Sequence, residues 1–224
     1  TGPSRAVLRL DLHNHTRGSF DCLTDPEALL ERAAAKGLDR IGITDHNRLD
    51  VALEMHRRYP DRVIPGEEVK TAEGIDLIGF FIETEIPKGT PAEEMCDRVR
   101  GEGGLIYLPH PYASGKGGGG RFAEALAPKV DVIEVFNARM HPGRLNGPAL
   151  TLATKHGKPG GAGSDAHTLG ELGGAWVEVP PHDNRPEALL NALASGTVHG
   201  RTAPHWVHLW STWAKVRKRL PGGS

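Results

Sequence analysis

Cysteine is nearly absent from this 224-residue chain, with only Cys22 and Cys96 present. Two cysteines cannot build a disulfide framework, so stability must come from burial, and a chain of this length can bury a sizeable core. An excess of charge of either sign is also missing. Lys and Arg number 27 against 28 Asp and Glu, a net of −1. That balance excludes nucleic-acid binding by bulk charge and leaves room only for a local basic patch. No apolar run approaches the roughly 18 residues of a membrane span, and the opening Thr-Gly-Pro-Ser-Arg has no signal-peptide core. The expectation is a cytoplasmic, non-membrane protein of one domain with a short appendage. Aromatic residues are scarce, 5 Phe and 3 Tyr, whereas histidine numbers 12. Imidazole in such excess points to metal chemistry.

Short apolar runs alternate with helical periodicity to about residue 200. Strands are expected over 7–12, 40–44, 62–64, 75–82, 105–108, 130–136, 160–163 and 176–179. Helices are expected over 26–36, 49–58, 91–101, 121–126, 147–156 and 186–194. The first helix is the clearest: Leu29, Leu30 and Ala33 share a face, Thr24 and Glu27 read as a capping box, and Gly37 stops it. Strand–helix alternation with short connections argues for an α/β fold with a largely parallel sheet, barrel or doubly wound. The segment 114–120 reads as a flexible loop. It is not a phosphate-cradling loop, because Lys116 precedes the glycine run.

Polar clusters recur at the ends of the expected strands. His13 and His15 flank Asn14 at the end of the first, and period-two alternation puts both imidazoles on one face. The bland alternative is a pair of surface histidines. Asp21 follows in a turn with Ser19. Asp45 and His46 come after the second strand, Glu67 and Glu68 after the third, and His110 after a later one. Asp165 and His167 end the glycine-rich run, and Glu134 and Asn137 lie along another strand. Six such placements indicate one rim of an α/β barrel, the face where barrels carry chemistry. His13, His15, Asp21, His46, Glu68, His110, Asp165 and His167 are too many ligands for one tetrahedral ion. Two or three ions sharing a carboxylate would use them, and imidazole with carboxylate and no thiolate suits Zn, Mn or Fe.

The string His13-x-His15 with Asp21, Thr44-Asp45-His46, Gly66-x-Glu68, His110-Pro111 and Ser164-Asp165-x-His167 resembles the PHP family, the polymerase and histidinol phosphatase domains. The blocks occur in order over residues 7 to 200. The resemblance implies a distorted (β/α)7, TIM-like barrel with a trinuclear metal site at the strand C-termini, acting on phosphate esters. It implies that His13, His15, Glu68 and Asp165 hold one ion. Glu68 would bridge to a second, held also by His110, and Asp21, His46 and His167 would hold a third. Many relatives supply a further His or Cys from the segment that is 134–137 in this chain, which has neither; Asn137, Glu134 or water would take its place. Glu67 is expected to point away from Glu68, and Asp45 to stand behind the ligands.

The expected activity is hydrolysis of a phosphate ester, in a small phosphomonoester, a nucleotide or an oligonucleotide end. Glu68, Asp165 and His167 would be central to catalysis. Arg17 and Arg139 are candidates to bind phosphate through paired hydrogen bonds, with Lys116 as a lesser candidate. The rivals are amidohydrolase-like cleavage of a carbonyl ester or amide, and a non-enzymatic metal-stabilised module. His56, His141, His156, His182, His205 and His208 read as ordinary surface or packing residues, and His199 as ambiguous. Residues 201–224 are expected to form a Trp-rich basic helix packed on a barrel of residues 1–200. Trp206, Trp210 and Trp213 would form one apolar stripe, buried on the barrel or offered to a partner.

Overall fold

The computed structural model describes residues 6–113, 117–204 and 206–220, without the side chains of Arg121, Arg144 and His208. The strands are β1 (Leu8–Asp11), β2 (Arg40–His46), β3 (Val63–Lys70), β4 (Asp76–Phe80), β5 (Leu105–Leu108), β6 (Val132–Asn137), β7 (Gly160–Gly163), β8 (Ala175–Val179) and β9 (Thr197–Gly200). The helices are α1 (Pro26–Ala35), α2 (Asp50–Arg58), α3 (Ala92–Gly101), α4 (Ala123–Leu126), α5 (Asn146–His156), α6 (Pro186–Leu193) and α7 (Val207–Arg219). Among the described residues, no helix is long and apolar enough to cross a membrane.

One sheet runs in the order β7-β6-β5-β4-β3-β2-β1-β8-β9. Neighbours β1, β2 and β3 are parallel, as are β5, β6 and β7. Between the two groups β4 runs antiparallel to both sides, so the expected uniform repeat of β/α units is interrupted there. The barrel closes where the chain beyond β1 meets β7 and the residues that follow it. Leu12 N donates to Ala162 O (3.1 Å), Asp165 N to His13 O (2.8 Å) and His15 N to Ala166 O (2.9 Å). The hairpin β8–β9, whose second strand the sequence reading did not anticipate, hangs on the start of β1.

Period-two alternation divides the core in two. Ile41, Ile43, Ile106 and Leu108 face the helices and pack with Leu29, Met55, Met95 and Val99. Leu10, Leu12, Ile64, Ile78, Phe80 and Tyr107 form the second cluster, together with Leu189 and Leu193 of α6. The glycines of β7 follow from this packing. A Cβ on Gly161 would stand 2.3 Å from the Tyr107 ring, and one on Gly163 2.2 Å from His13 Cβ. Side chains at those positions would collide with Tyr107 of β5 and with His13 just beyond β1.

Two local expectations change. Asp25, not Thr24, caps α1, accepting from Glu27 N (3.0 Å) and Ala28 N (3.2 Å), while Thr24 donates to His167 O (3.0 Å). The C-terminal helix α7 lies on the barrel through Val207, Ser211 and Ala214, and its tryptophan stripe faces outward. Trp206, Trp210 and Trp213 are 58%, 52% and 53% exposed, so the buried face is the one made of small side chains.

Candidate metal centre

The turn after β1 and the ends of β2, β3, β5 and β7 bring the eight expected ligands together. His13, His15 and Glu68 are fully buried, and Asp21 and His167 nearly so. Pairing of His46 with Glu68 across β2 and β3 puts their side chains on one face. Glu68 Oε2 lies 2.9 Å from His46 Nδ1 and 3.4 Å from both His13 Nε2 and His15 Nε2, and its Oε1 is 3.1 Å from His110 Nε2. The two Nε2 atoms of His13 and His15 are 3.2 Å apart. Asp165 Oδ1 is 3.2 Å from His15 Nε2, and Asp21 Oδ1 lies 3.4 Å from His167 Nε2 and 3.7 Å from His46 Nε2.

The rings are oriented from behind. Glu134 accepts from His13 Nδ1 (3.2 Å), which turns the lone pair of Nε2 toward the cluster. Ser19 Oγ donates to Asp45 (2.8 Å) and so accepts from His15 Nδ1 (3.0 Å) and His46 N (3.0 Å). Asp45 also takes the Thr16 and Ser19 backbone N–H groups, at 2.6 and 3.2 Å, and thereby fixes the whole turn. Backbone strain collects in the same place. His110 and Asp165 have φ of +29° and +52°, an unfavourable region for residues with a Cβ and one that recurs at functional sites.

The electrostatics of the cluster favour added positive charge. Burial opposes ionisation of Glu68 and Asp165, yet the neighbouring imidazoles hold both carboxyls well below the usual carboxylate range. Burial likewise opposes protonation of His46, and Glu68 and Asp21 override it, raising this histidine to about 9. His15, buried and flanked by His167 and His46, falls to about 3. Glu68 Oε2 and Asp21 Oδ1 are buried and take no well-aligned hydrogen bond among the described residues. Buried carboxylate oxygens facing converging imidazole nitrogens fit divalent cations. Four overlapping groups each bring their ligand atoms within 4.8 Å of one another: His15, His46 and His167; His13, His15 and Glu68; His13, His110 and Asp165; and Glu68, Asp76 and His110.

Asp76 was not expected in this company. In the sequence it falls inside the apolar run 75–82, but it is 4% exposed, pairs with Lys70 Nζ at 2.5 Å and lines the cleft. Glu134 belongs to none of these groups, whereas Asn137 lines the cleft and turns its side-chain amide toward Glu134. Besides His13, Glu134 accepts from His110 N (2.7 Å), Tyr107 OH (3.1 Å) and Asn137 Nδ2 (2.9 Å). Glu67 points to the other side of β3, where its Oε2 accepts from Ile86 N (2.9 Å); burial pushes its carboxyl up to about 8.

Above the cluster lies a cleft of about 400 Å³. Arg139 lines it and reaches Glu171 (3.0 Å) and Ser211 (2.5 Å). Arg17 is exposed, pairs with Asp25 and does not line the cleft, because its side chain turns along the surface toward the start of α1. Lys116 and His205 lie outside the described residues. His141, expected to be an ordinary surface residue, lines the cleft, and Ser211, Thr212 and Lys215 close it from α7. The only sequence signal for those last three was their helical spacing within a segment set apart by its tryptophans and basic residues.

The chain belongs to the PHP family. The PHP domain matches over residues 11–95, and the PHP-associated segment over 143–198. Protein MJ0417 of Methanocaldococcus jannaschii is 35% identical over 197 residues, covering 83% of this chain and 79% of that protein. Among solved structures, PsfC from Pseudomonas syringae superposes with a TM-score of 0.66 at 17% identity, over 95% of this chain and 98% of that one. The lesion-specific endonuclease EndoQ from Pyrococcus furiosus gives 0.62 at 17% identity, over 86% of this chain and 57% of that one. At such identities these structures bear on the fold, an α/β barrel.

Proposed function

We propose that the protein is a metal-dependent phosphoester hydrolase acting on a small phosphomonoester, a nucleotide or the end of an oligonucleotide. The observation that carries this reading is the convergence of eight imidazole and carboxylate side chains beneath a cleft of about 400 Å³ in a PHP-family barrel. A cleft of that size suits a small ligand or a chain end.

Two to three divalent ions of the Zn, Mn or Fe kind match the donor set. His13, His15, Glu68 and Asp165 would hold the first, Glu68 and His110 with Asp76 beside them the second, and Asp21, His46 and His167 the third. Bound there, such ions lower the pKa of water and neutralise phosphoryl oxygens. The protein's own groups act around them. Glu134 and Ser19 hold the imidazole tautomers. Arg139 is the candidate phosphate contact from the barrel side, and Glu68, Asp165 and His167 are the candidate catalytic residues.

The test is a reconstituted protein assayed on an aryl phosphate and on aryl esters and amides, with and without chelator. Phosphate release that chelator abolishes is the expected result. Carboxyl-ester or amide cleavage without phosphate release would replace the proposal with the carbonyl-hydrolase reading.

A further inference from the structure

The pocket has a wall that lies beyond both matched family segments. Residues 199–224 fall outside 11–95 and 143–198, yet α7 brings Ser211, Thr212 and Lys215 to the cleft. The helix is fixed there by polar contacts. Arg139 Nη2 donates to Ser211 Oγ, and Lys218 Nζ donates to the carbonyl oxygens of Arg17 and Ser19, the loop that leads to Asp21. Lys215 projects one turn away from Ser211, on the cleft side. Its ammonium stands 3.5 Å from Asp21 Oδ2 and 5.1 Å from the centre of the Phe20 ring, a cation–π contact. No Asp or Glu occurs after Glu187, so α7 carries no acidic residue of its own to neutralise this cation. Among the described residues, the one carboxylate within 4.0 Å of this ammonium belongs to Asp21, the oxygen donor that a divalent ion would claim.

We propose that Lys215 is a substrate-binding residue: once Asp21 is engaged by metal, its ammonium holds a non-bridging phosphoryl oxygen, and α7 is thereby a specificity element of the pocket. This inference rests on the phosphoester reading. An ammonium suits the task because its three donors rotate about a flexible stem and can follow an anion into the cleft.

The test uses metal-loaded full-length protein and titrates inorganic phosphate by calorimetry, beside aryl-phosphate kinetics and elemental analysis. Lys215→Ala should weaken phosphate binding and raise KM about 10- to 100-fold, the usual loss for a charge-assisted hydrogen bond, with kcat changing much less. Lys215→Arg should restore part of that loss, and metal content should stay at the parent's level. Leu209→Ser, on the exposed side of α7, should change none of these readings. Unchanged phosphate affinity in Lys215→Ala, or a loss matched by lost metal, would overturn the proposal and leave Lys215 as a counter-charge for Asp21. A parent that binds no phosphate and cleaves no aryl phosphate would instead remove the phosphoester reading, and this inference with it.

Discussion

Removing the acceptor behind two of the ligands should separate their orientation from direct metal binding. Glu134 is 1% exposed and takes four hydrogen bonds, from His13 Nδ1 and Tyr107 OH on one oxygen and from His110 N and Asn137 Nδ2 on the other. Glu134→Gln keeps the shape but turns one of those oxygens into a donor that faces two donors. Each buried group left unpaired costs about 1–3 kcal/mol, so the variant should lose roughly 2–4 kcal/mol of stability after some relaxation. The imidazole of His13 then loses the acceptor that fixes its tautomer, and metal affinity should drop about 10- to 100-fold. Urea unfolding of metal-free protein measures the first quantity, and competition against a chromogenic chelator measures the second. A variant within about 0.5 kcal/mol and twofold of the parent would refute the argument that Glu134 orients the site.

Adjacent glutamates should behave as opposites: Glu68→Gln should lose bound metal and hydrolysis, whereas Glu67→Gln should keep both, as elemental analysis and aryl-phosphate turnover will report. Glu67 also sets a pH dependence. Because its carboxyl is raised from 4.5 to about 8 in the fold, its contribution to stability is complete below pH 4.5 and is lost as pH rises through 8. Between pH 6 and 9 the parent should therefore lose about 2–3 kcal/mol relative to Glu67→Gln, read as diverging urea midpoints; parallel midpoints would contradict the assignment. Adding Mn²⁺ or Zn²⁺ at about 100 times its dissociation constant should stabilise the fold by about 2.7 kcal/mol or more, and a melting temperature indifferent to metal would count against the ligand set.

Some of this site is legible in one dimension and some is not. His13 and His15 could be read as a pair because two residues along a strand share a face, and the same rule separates Glu68 from Glu67. The rim was visible because Asp, His and Glu recur at the ends of apolar runs. Strand direction has no such signature. The run at 75–82 looks the same parallel or antiparallel, so the reversed β4, and Asp76 with it, could not be foreseen. The sequence offered Glu134 only as a possible replacement ligand, and its hydrogen bonds from His13, Tyr107, His110 and Asn137 depend on strand packing that has no one-dimensional signature. On α7, periodicity marked a stripe of tryptophans but not which face the barrel would bury, because Val207, Ser211 and Ala214 form a smaller and equally periodic one.

The seam that closes the barrel also bears on how the protein is made. It joins His13 to Asp165, which lie 152 positions apart in the chain. A ribosome adding about 5–20 residues per second needs roughly 8 to 30 seconds to cover that distance. As they emerge during that interval, His13, His15, Asp21, His46 and Glu68 are exposed without the strand that buries them. A truncated product ending before β7 would carry these side chains as a loose chelator open to solvent, able to take up and release cations but unable to enclose them. On the proposed ligand set, selective metal loading would belong after synthesis has passed His167, when Asp165, His167 and the seam arrive together.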